Sequence, residues 1–461
     1  KVLADFLSVI YLLTLVLKPR NEIIHNNVVP NYDRNLMTFR KINRNTWFRR
    51  ADSTIEFTGQ LNSFNVKDIC SAINLFKDSG NNELTLDFSK VLKAYPNGVL
   101  PIISSIDSLR EDDYKIYVKL PHNNNVRRLF RSVNWAHFLA PEQFEKSESQ
   151  HDRHLVTRNF KDENEQTKIV DDFMDVVLRS MELPKDIISG LEWSINEITD
   201  NVLNHSKSEQ GGFVQASTYP TNGVIAFAVA DSGRGILDSL KEGFPSLRTD
   251  MQAIGEAVKA GVTRNPKYGQ GNGLAGSLRV ATLTGGSLEI TSGTARIIST
   301  KDETKKNNRR DFQLYKGTLV CGQINVSKDF SISKALNFGM SESYEPGNVI
   351  DYHYEMEDED CLMLKMKNET TGFGTRRSGK QINTKIQNLI QAKPDYPLVI
   401  DWEGIPVISS SFADEMIGKL FIKLGAISFS SLIRNVNMEP LIRNLLDKAI
   451  AQRLTQESDE E

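Results

Sequence analysis

The sequence predicts a multi-domain α/β protein, and three observations carry that expectation. At 461 residues the chain exceeds what one hydrophobic core organises, which sets roughly two to four domains as the starting point. Strand-period and helix-period segments alternate from Ile55 onward, the pattern of helices packed on sheets. The same order of strand, helix, strand, helix returns in a unit beginning near Val349, which looks like the first.

Composition narrows the class. With 39% hydrophobic and 25% charged residues, 29 Gly and 15 Pro, the chain is ordinary globular protein, which excludes disordered, collagen-like and disulfide-scaffold readings. Lys and Arg number 56 against 59 Asp and Glu, a formal charge of −3. No general attraction to phosphate backbones follows, so a nucleic-acid role would need a local patch. The basic strips are Arg127, Arg128 and Arg131, and residues 305–310. Cys70, Cys321 and Cys361 lie far apart without a CxxC, which suits a reducing compartment, argues against zinc and makes cytoplasm the expected location.

Residues 1–50 form a segment of uncertain structure. Its apolar run from Val2 to Leu17 is interrupted by Asp5 and is shorter than the roughly 20 residues of a membrane span. It reads as a buried or interfacial helix, with a membrane anchor or a gene-start artefact as alternatives. A first small domain, 51–145, follows: strand IEFTGQL, helix Val66–Phe76, strand ELTLDF, helix Gly98–Leu109, strand YKIYVKL and helix Asn125–Phe138. The polar stretch EKSESQHDRH is a linker. The middle domain, 155–326, begins with a helix Lys168–Met181 and ends with the strand KGTLVCGQINV. A third, 349–455, contains LMLKMK, helix Ser378–Gln391, strand PLVIDWEG and helix Phe412–Leu424. The acidic runs EMEDED and ESDEE read as solvated loop and tail.

The chemistry sits in the middle domain. In LEWSINEITDNVLNHS, Leu191, Ile195, Ile198 and Val202 recur at helical spacing as a buried stripe, while Glu197, Asn201 and His205 fall at i, i+4 and i+8 on an adjacent face. An amide oxygen is a hard neutral ligand for magnesium, and a carboxylate one turn away can orient or deprotonate an attacking hydroxyl. A polar outer helix face has the same spacing. In VIAFAVADSGRGI a buried strand delivers Asp231 into the turn Ser232-Gly233-Arg234-Gly235. A carboxylate there can accept from an exocyclic amine such as adenine's, and glycines let backbone approach a ligand, although this is also a plain strand-to-turn signal. In KYGQGNGLAGSLRV, Gly269, Gly271 and Gly273 precede a helix beginning near Leu274, an arrangement that favours phosphate at a helix start and that a surface loop shares.

Together, in this order, the three stretches resemble the N, G1 and G2 boxes of the superfamily of gyrase, heat-shock chaperone, histidine kinase and MutL ATPases (GHKL). The resemblance covers residues 155–326. It implies a Bergerat α/β sandwich that binds ATP and Mg2+, with a flexible lid between the second and third boxes. It assigns Glu197 as general base, Asn201 as magnesium ligand, Asp231 as adenine anchor, and Gly233 and Gly235 as the G1 turn. Gly269, Gly271, Gly273 and Leu274 fall at the phosphates, Thr318 in KGTLV near the adenine anchor, and Arg264 and Lys267 in the lid. A Rossmann reading lacks its strand-turn unit and following acidic residue, and there is no Walker A lysine motif. His151 and His154 lack the glutamate and proline context of a phosphoacceptor histidine; an H-x-x-H metal pair and a solvated linker both stay open there.

The N box ending in His205 most resembles the anti-sigma-factor serine kinases, which phosphorylate a serine in a STAS-domain partner. Residues 349–455 look weakly STAS-like, best in PLVIDWEGIPVISSSFADEMIGKLF. The acceptor position matches Ser410, within Ser409-Ser410-Ser411-Phe412, but departs from the family's aspartate-serine-serine-glycine, and the serines are also suited to capping the helix. The first domain carries Ala94-Tyr95-Pro96-Asn97-Gly98 at that place and reads as a degenerate copy. The expectation is therefore an ATP-dependent regulatory switch acting as a slow ATPase or serine kinase. Its partners would be a regulatory protein, its own STAS-like domains, or a second copy, since homodimers are common in the superfamily. A non-catalytic ATP clamp is the alternative, and a MutL-like nucleic-acid ATPase rests on the basic strips alone.

Overall fold

In the computed structural model, residues 39–41, 46–49, 53–147, 152–259, 261, 272–308, 315–326, 329–337, 346–356, 359–370 and 372–458 are described. The apolar run Val2–Leu17, His151, Arg264, Lys267, Gly269 and Gly271 lie outside them. Residues 39–461 form one compact unit, in which the described residues make three sheets.

The first sheet comprises β1 (Phe39–Lys41), β2 (Thr46–Arg49), β3 (Thr54–Leu61), β4 (Glu83–Ala94) and β5 (Lys115–Lys119), in that order. β3, β4 and β5 are parallel; β1 and β2 add antiparallel strands at the edge of β3. The N-terminal unit therefore includes residues before 51, assigned above to the uncertain segment. Helix α1 (Val66–Lys77) connects β3 to β4, and α2 (Pro96–Glu111) connects β4 to β5. The expected helix Asn125–Phe138 is two: α3 (Asn124–Ser132) and α4 (Trp135–Leu139). Asn134 between them adopts φ 68°, a left-handed conformation that ends a right-handed helix.

The central sheet has seven strands, all antiparallel: β6 (His154–Phe160), β7 (Gly212–Tyr219), β8 (Val224–Asp231), β9 (Ser287–Gly293), β10 (Ala295–Thr300), β11 (Thr304–Asn308) and β12 (Tyr315–Asn325), in the order β11-β10-β9-β12-β8-β7-β6. Between β6 and β7 run α5 (Glu163–Ser180), capped by Asp162, and α6 (Lys185–Asn201). Short helices α7 (Gly235–Leu240) and α8 (Asp250–Ala257) precede α9 (Gly273–Leu283). After β12 come α10 (Ile332–Ala335) and α11 (Val349–His353).

The C-terminal sheet is parallel: β13 (Leu362–Lys365), β14 (Leu398–Asp401) and β15 (Ile433–Val436). It is flanked by α12 (Met366–Glu369), α13 (Arg376–Ala392), α14 (Ser410–Ala413), α15 (Lys419–Leu424), α16 (Ala426–Leu432) and α17 (Pro440–Ser458). The expected single helix Phe412–Leu424 starts at Ser410 and is interrupted by a π turn, Asp414–Gly418.

The hydrophobic cores do not follow the sequence domains one for one. Period-2 alternation sends Phe213, Ala228, Ala230 and Leu319 to one face of the central sheet, where they join the core of the N-terminal unit. Helix α2 lies on β7, β8 and β12 there, with Val99, Leu100, Ile102, Ile103 and Ile106 all buried. The alternate residues Val214, Ala216, Ile225, Phe227, Val229 and Val320 face α5, α6 and α9 in a second core, which continues into the C-terminal unit. α13 packs on α5, and the seam holds a buried ionic network. Lys385 Nζ lies 2.7 Å from Asp175 and also pairs with Glu369; Arg179 reaches Glu369 at 3.1 Å. Asn388 donates to the Leu178 and Met181 carbonyls and accepts from Leu183 N–H. Among the described residues no helix is long and apolar enough to cross a membrane.

Lys385 is 1% exposed and Glu369 6%, so removing the lysine leaves the buried Glu369 carboxylate sharing Arg179 with Asp175 as the remaining cation in low dielectric. Lys385→Ala is expected to lower the unfolding free energy by about 3 to 5 kcal/mol, read from urea denaturation; a loss below about 1 kcal/mol, the range of an exposed ion pair, would show that the network does not hold the seam.

Candidate functional site

The 17-residue helix α6 buries Leu191, Ile195 and Ile198 in the core shared with the central sheet, with Val202 just past its end, leaving Glu197 and Asn201 half-buried on its adjacent face. Asn201 Nδ2 donates to the Glu197 carbonyl at 2.7 Å, which leaves its amide oxygen to accept or ligate. The helix then widens into a π turn, Val202–Ser206. Because a π turn bonds i to i+5, His205 does not continue the i, i+4, i+8 register. Its carbonyl instead accepts from Arg234 Nε at 2.8 Å.

That turn ties the helix end to the glycine turn after β8. The Ser206 carbonyl accepts from Arg234 N–H at 2.8 Å and lies where a Cβ on Gly233 would stand. A side chain at 233 would push the two segments apart. Asp231 is the last residue of β8, and alternation puts it on the helical face with Ile225, Phe227 and Val229. Its carboxylate accepts from Gly233 N–H at 2.8 Å and from the backbone N–H of Thr318. At 2% exposure, burial outweighs these two bonds and pushes the carboxyl up to about 7. Gly235 opens α7, whose Ile236 N–H donates to Ser292 Oγ at 3.0 Å.

Gly273, the first residue of α9, closes on Glu197. A Cβ there would collide with the Glu197 carboxylate and sit 3.5 Å from Asn201 Nδ2. The glycine thus brings a helix N-terminus against the carboxylate and amide of α6, with Leu274 partly buried behind it. Burial first, and the neighbouring Asp200 second, push Glu197 up to about 7. The structure therefore brings Glu197, Asn201 and Gly273 together, and Asp231, Gly233, Gly235 and Thr318 together, with the π turn joining the two groups.

Ser410 stands apart from them in the fold. It is exposed at the first turn of α14, while Ser409 caps that helix by accepting from Phe412 N–H at 3.0 Å. Its unit touches α6 through Asn348 Nδ2 to Ser189 Oγ at 3.0 Å and Val349 N–H to Glu192 at 2.6 Å; Ser189 precedes Glu197 by about 12 Å along the helix axis. His154 starts β6 and bonds Ser217 Oγ at 3.0 Å; among the described residues no group of three or more His, Cys, Asp or Glu could hold a metal. Of the basic strips, Arg127 is turned onto the Pro121 carbonyl at 2.8 Å and Lys305 pairs with Glu303 at 2.8 Å.

Sequence reasoning missed Tyr315 and Ser292. Tyr315 grips the Asp231 carbonyl and Ser292 bonds the flanking Ile236 N–H and Gly317 carbonyl; Tyr315 stands immediately before KGTLV, which is the signal that could have pointed to it. No protein-family model matches the chain, and no curated protein matches it significantly.

Asp231 rises from its ordinary 3.8 to about 7 on folding, so between those values the folded protein holds a proton that the unfolded chain has released. Its contribution is complete below about pH 4 and is lost as pH rises through 7. Without ligand, stability should fall by on the order of 2 kcal/mol from this residue between pH 5 and 8. Asp231→Asn, isosteric and neutral throughout, should flatten that slope in denaturant unfolding; an unchanged slope would place the proton elsewhere.

Proposed function

We propose that the middle unit is a GHKL-type ATPase domain of Bergerat architecture that binds Mg-ATP and acts as a nucleotide-dependent regulatory switch, flanked by two STAS-like units. The observation that carries the reading is the meeting of Glu197 and Asn201 with the N-terminus of α9 at Gly273. Three stretches that are individually ordinary converge through close approaches that a side chain at Gly233 or Gly273 would prevent. The residues fit both ligands. Asp231 is a buried acceptor held by two backbone N–H groups, suited to an exocyclic amine. The free amide oxygen of Asn201 is a hard donor of the kind magnesium takes alongside phosphates and water.

Within this reading the Asp231 carboxylate accepts a hydrogen bond from the base and is drawn into its ionised form, which offsets part of its desolvation. Magnesium, when bound at Asn201, would supply charge neutralisation at the phosphates. The α9 N-terminus offers unpaired N–H groups to phosphate oxygens. Glu197, poised near 7, accepts the proton of an attacking hydroxyl as the new oxygen–phosphorus bond forms at the γ-phosphorus, the bond to the β,γ-bridging oxygen breaks, and ADP leaves. Water as attacker makes the protein a slow ATPase; a serine hydroxyl makes it a protein kinase. The exposure of Ser410 suits an acceptor, and a site that binds without turnover would be a clamp.

Calorimetry with magnesium and ATP should show binding by the intact protein and a loss on the order of tenfold or more in Asp231→Asn. Failure of the intact protein to bind ATP would refute the reading. Incubation with γ-labelled ATP separates its versions: label on protein that disappears in Ser410→Ala and Glu197→Ala marks the kinase, free phosphate alone the ATPase, and neither product with ATP still bound the clamp.

A further inference from the structure

β12 enters the sheet irregularly. Tyr315 pairs with Gly293 and Thr318 with Ser292, so two extra residues, Lys316 and Gly317, bulge between them. Residues an odd number apart on a strand lie on opposite faces, and the two-residue bulge keeps that parity, so Tyr315 and Thr318 approach Asp231 from opposite faces of the sheet. Thr318 N–H holds the Asp231 carboxylate on the helical face. Tyr315 joins the core of the N-terminal unit on the other face, from where its hydroxyl donates to the Asp231 carbonyl at 2.8 Å. Between them Gly317, at φ 112°, passes so close that a Cβ would strike that same carbonyl, and Ser292 Oγ pins the Gly317 carbonyl at 2.9 Å.

The Tyr315 hydroxyl is 3.3 Å from Ser104 Oγ, on the buried helix α2 of the N-terminal unit. Tyr315 is 1% exposed, and burial keeps its hydroxyl protonated well above its ordinary titration, so the donor is constant over physiological pH. Nothing in the chemistry proposed for the site requires a tyrosine at this place. A phenylalanine would fill the same core, and the hydroxyl's partners are the Asp231 carbonyl and Ser104.

We propose that Tyr315 is a positioning residue for base recognition: braced by Ser104, its hydroxyl fixes the Asp231 peptide, and with it the aim of the carboxylate, so that the docked N-terminal unit sets how sharply the site selects an aminated purine. This rests on the nucleotide reading above and adds to it the control of base selectivity from outside the nucleotide domain.

The test compares affinities of the full chain, with magnesium, for ATP and for purine riboside 5′-triphosphate, which lacks the exocyclic amine. Wild type should prefer ATP, and Tyr315→Phe should lower that preference about threefold to tenfold, the size of one hydrogen bond, with the purine riboside affinity unchanged. Ser104→Ala, a smaller change in the same chain of hydroxyls, should lower the preference in the same direction. Equal weakening of both ligands, or an unchanged ratio, in a folded Tyr315→Phe or Ser104→Ala protein overturns the positioning role while leaving the nucleotide reading intact. Wild type that binds both ligands equally removes the base anchor, and wild type that binds neither removes the nucleotide site; either removes the role of Tyr315 with it.

Discussion

The constraint on which the architecture depends is that the middle strands of the central antiparallel sheet are buried on both faces. Seven of the eight residues of β7 are buried, and β8 is buried from Phe227 to Asp231. A sheet with one wet face exposes every second residue; here even the alternate polar residues Gln215 and Ser217 are buried, so both faces need cover. The helices between its own strands supply one layer. The other comes from α2, whose Val99, Ile102, Ile103 and Ile106 are buried where it is pressed between its own sheet and the central one. The N-terminal unit is thus part of the core, and further polar seams secure it. Trp135 Nε1 donates to Gln215 at 2.7 Å. Arg296, 6% exposed, stacks 3.9 Å over Phe64 and reaches Ser63 at 3.0 Å and Glu289 at 2.7 Å.

Double cover also explains the electrostatics at the strand end. Asp231 emerges where the sheet is dry on both sides, so its carboxyl is held near 7 although two N–H groups point at it. A carboxylate at an ordinary open strand end would keep water as a partner and titrate near 4. The cover is therefore what makes Asp231 responsive: a donor arriving at this oxygen shifts its protonation, whereas a donor arriving at a solvated carboxylate only replaces a water.

Much of this was legible in the chain and some of it could not be. The N-terminal strands and helices and the stripe Leu191, Ile195, Ile198, Val202 follow from periodicity, because each buries a continuous face. β15 escaped notice because its four residues, IRNV, mix charge with apolar character on a short edge strand, where pattern carries little information. The π turn at Val202–Ser206 escaped because its cause is tertiary, the pull of Arg234 on two carbonyls 28 or 29 residues earlier. Lys385 and Asn388 read as the polar side of α13, and only the arrival of α5, about 210 residues away in sequence, makes them interior. The convergence of Glu197, Asn201 and Asp231 was readable only as a resemblance, since no local spacing links residue 201 to residue 231.

Helix α6 is where the two outer units and the candidate site meet mechanically. Its first half is held by the C-terminal unit, through Ser189 to Asn348 and Glu192 to the start of α11. Burial pushes Glu192 up to about 7, against the hydrogen bond from Val349 and with Asp171 and Asp351 adding repulsion, so this junction is itself poised near neutrality. Its last turn carries Glu197 and Asn201, and its π extension grips the glycine turn that follows Asp231, whose carbonyl is held by Tyr315 of β12 on the face that the N-terminal unit covers. A helix is stiff along its axis over such a length, and close-packed interiors transmit strain. Any ligand that moves the C-terminal end of α6 relative to the sheet would consequently work against both anchorages at once. Its effect on the flanking units would scale with the difference in affinity it has for the two arrangements.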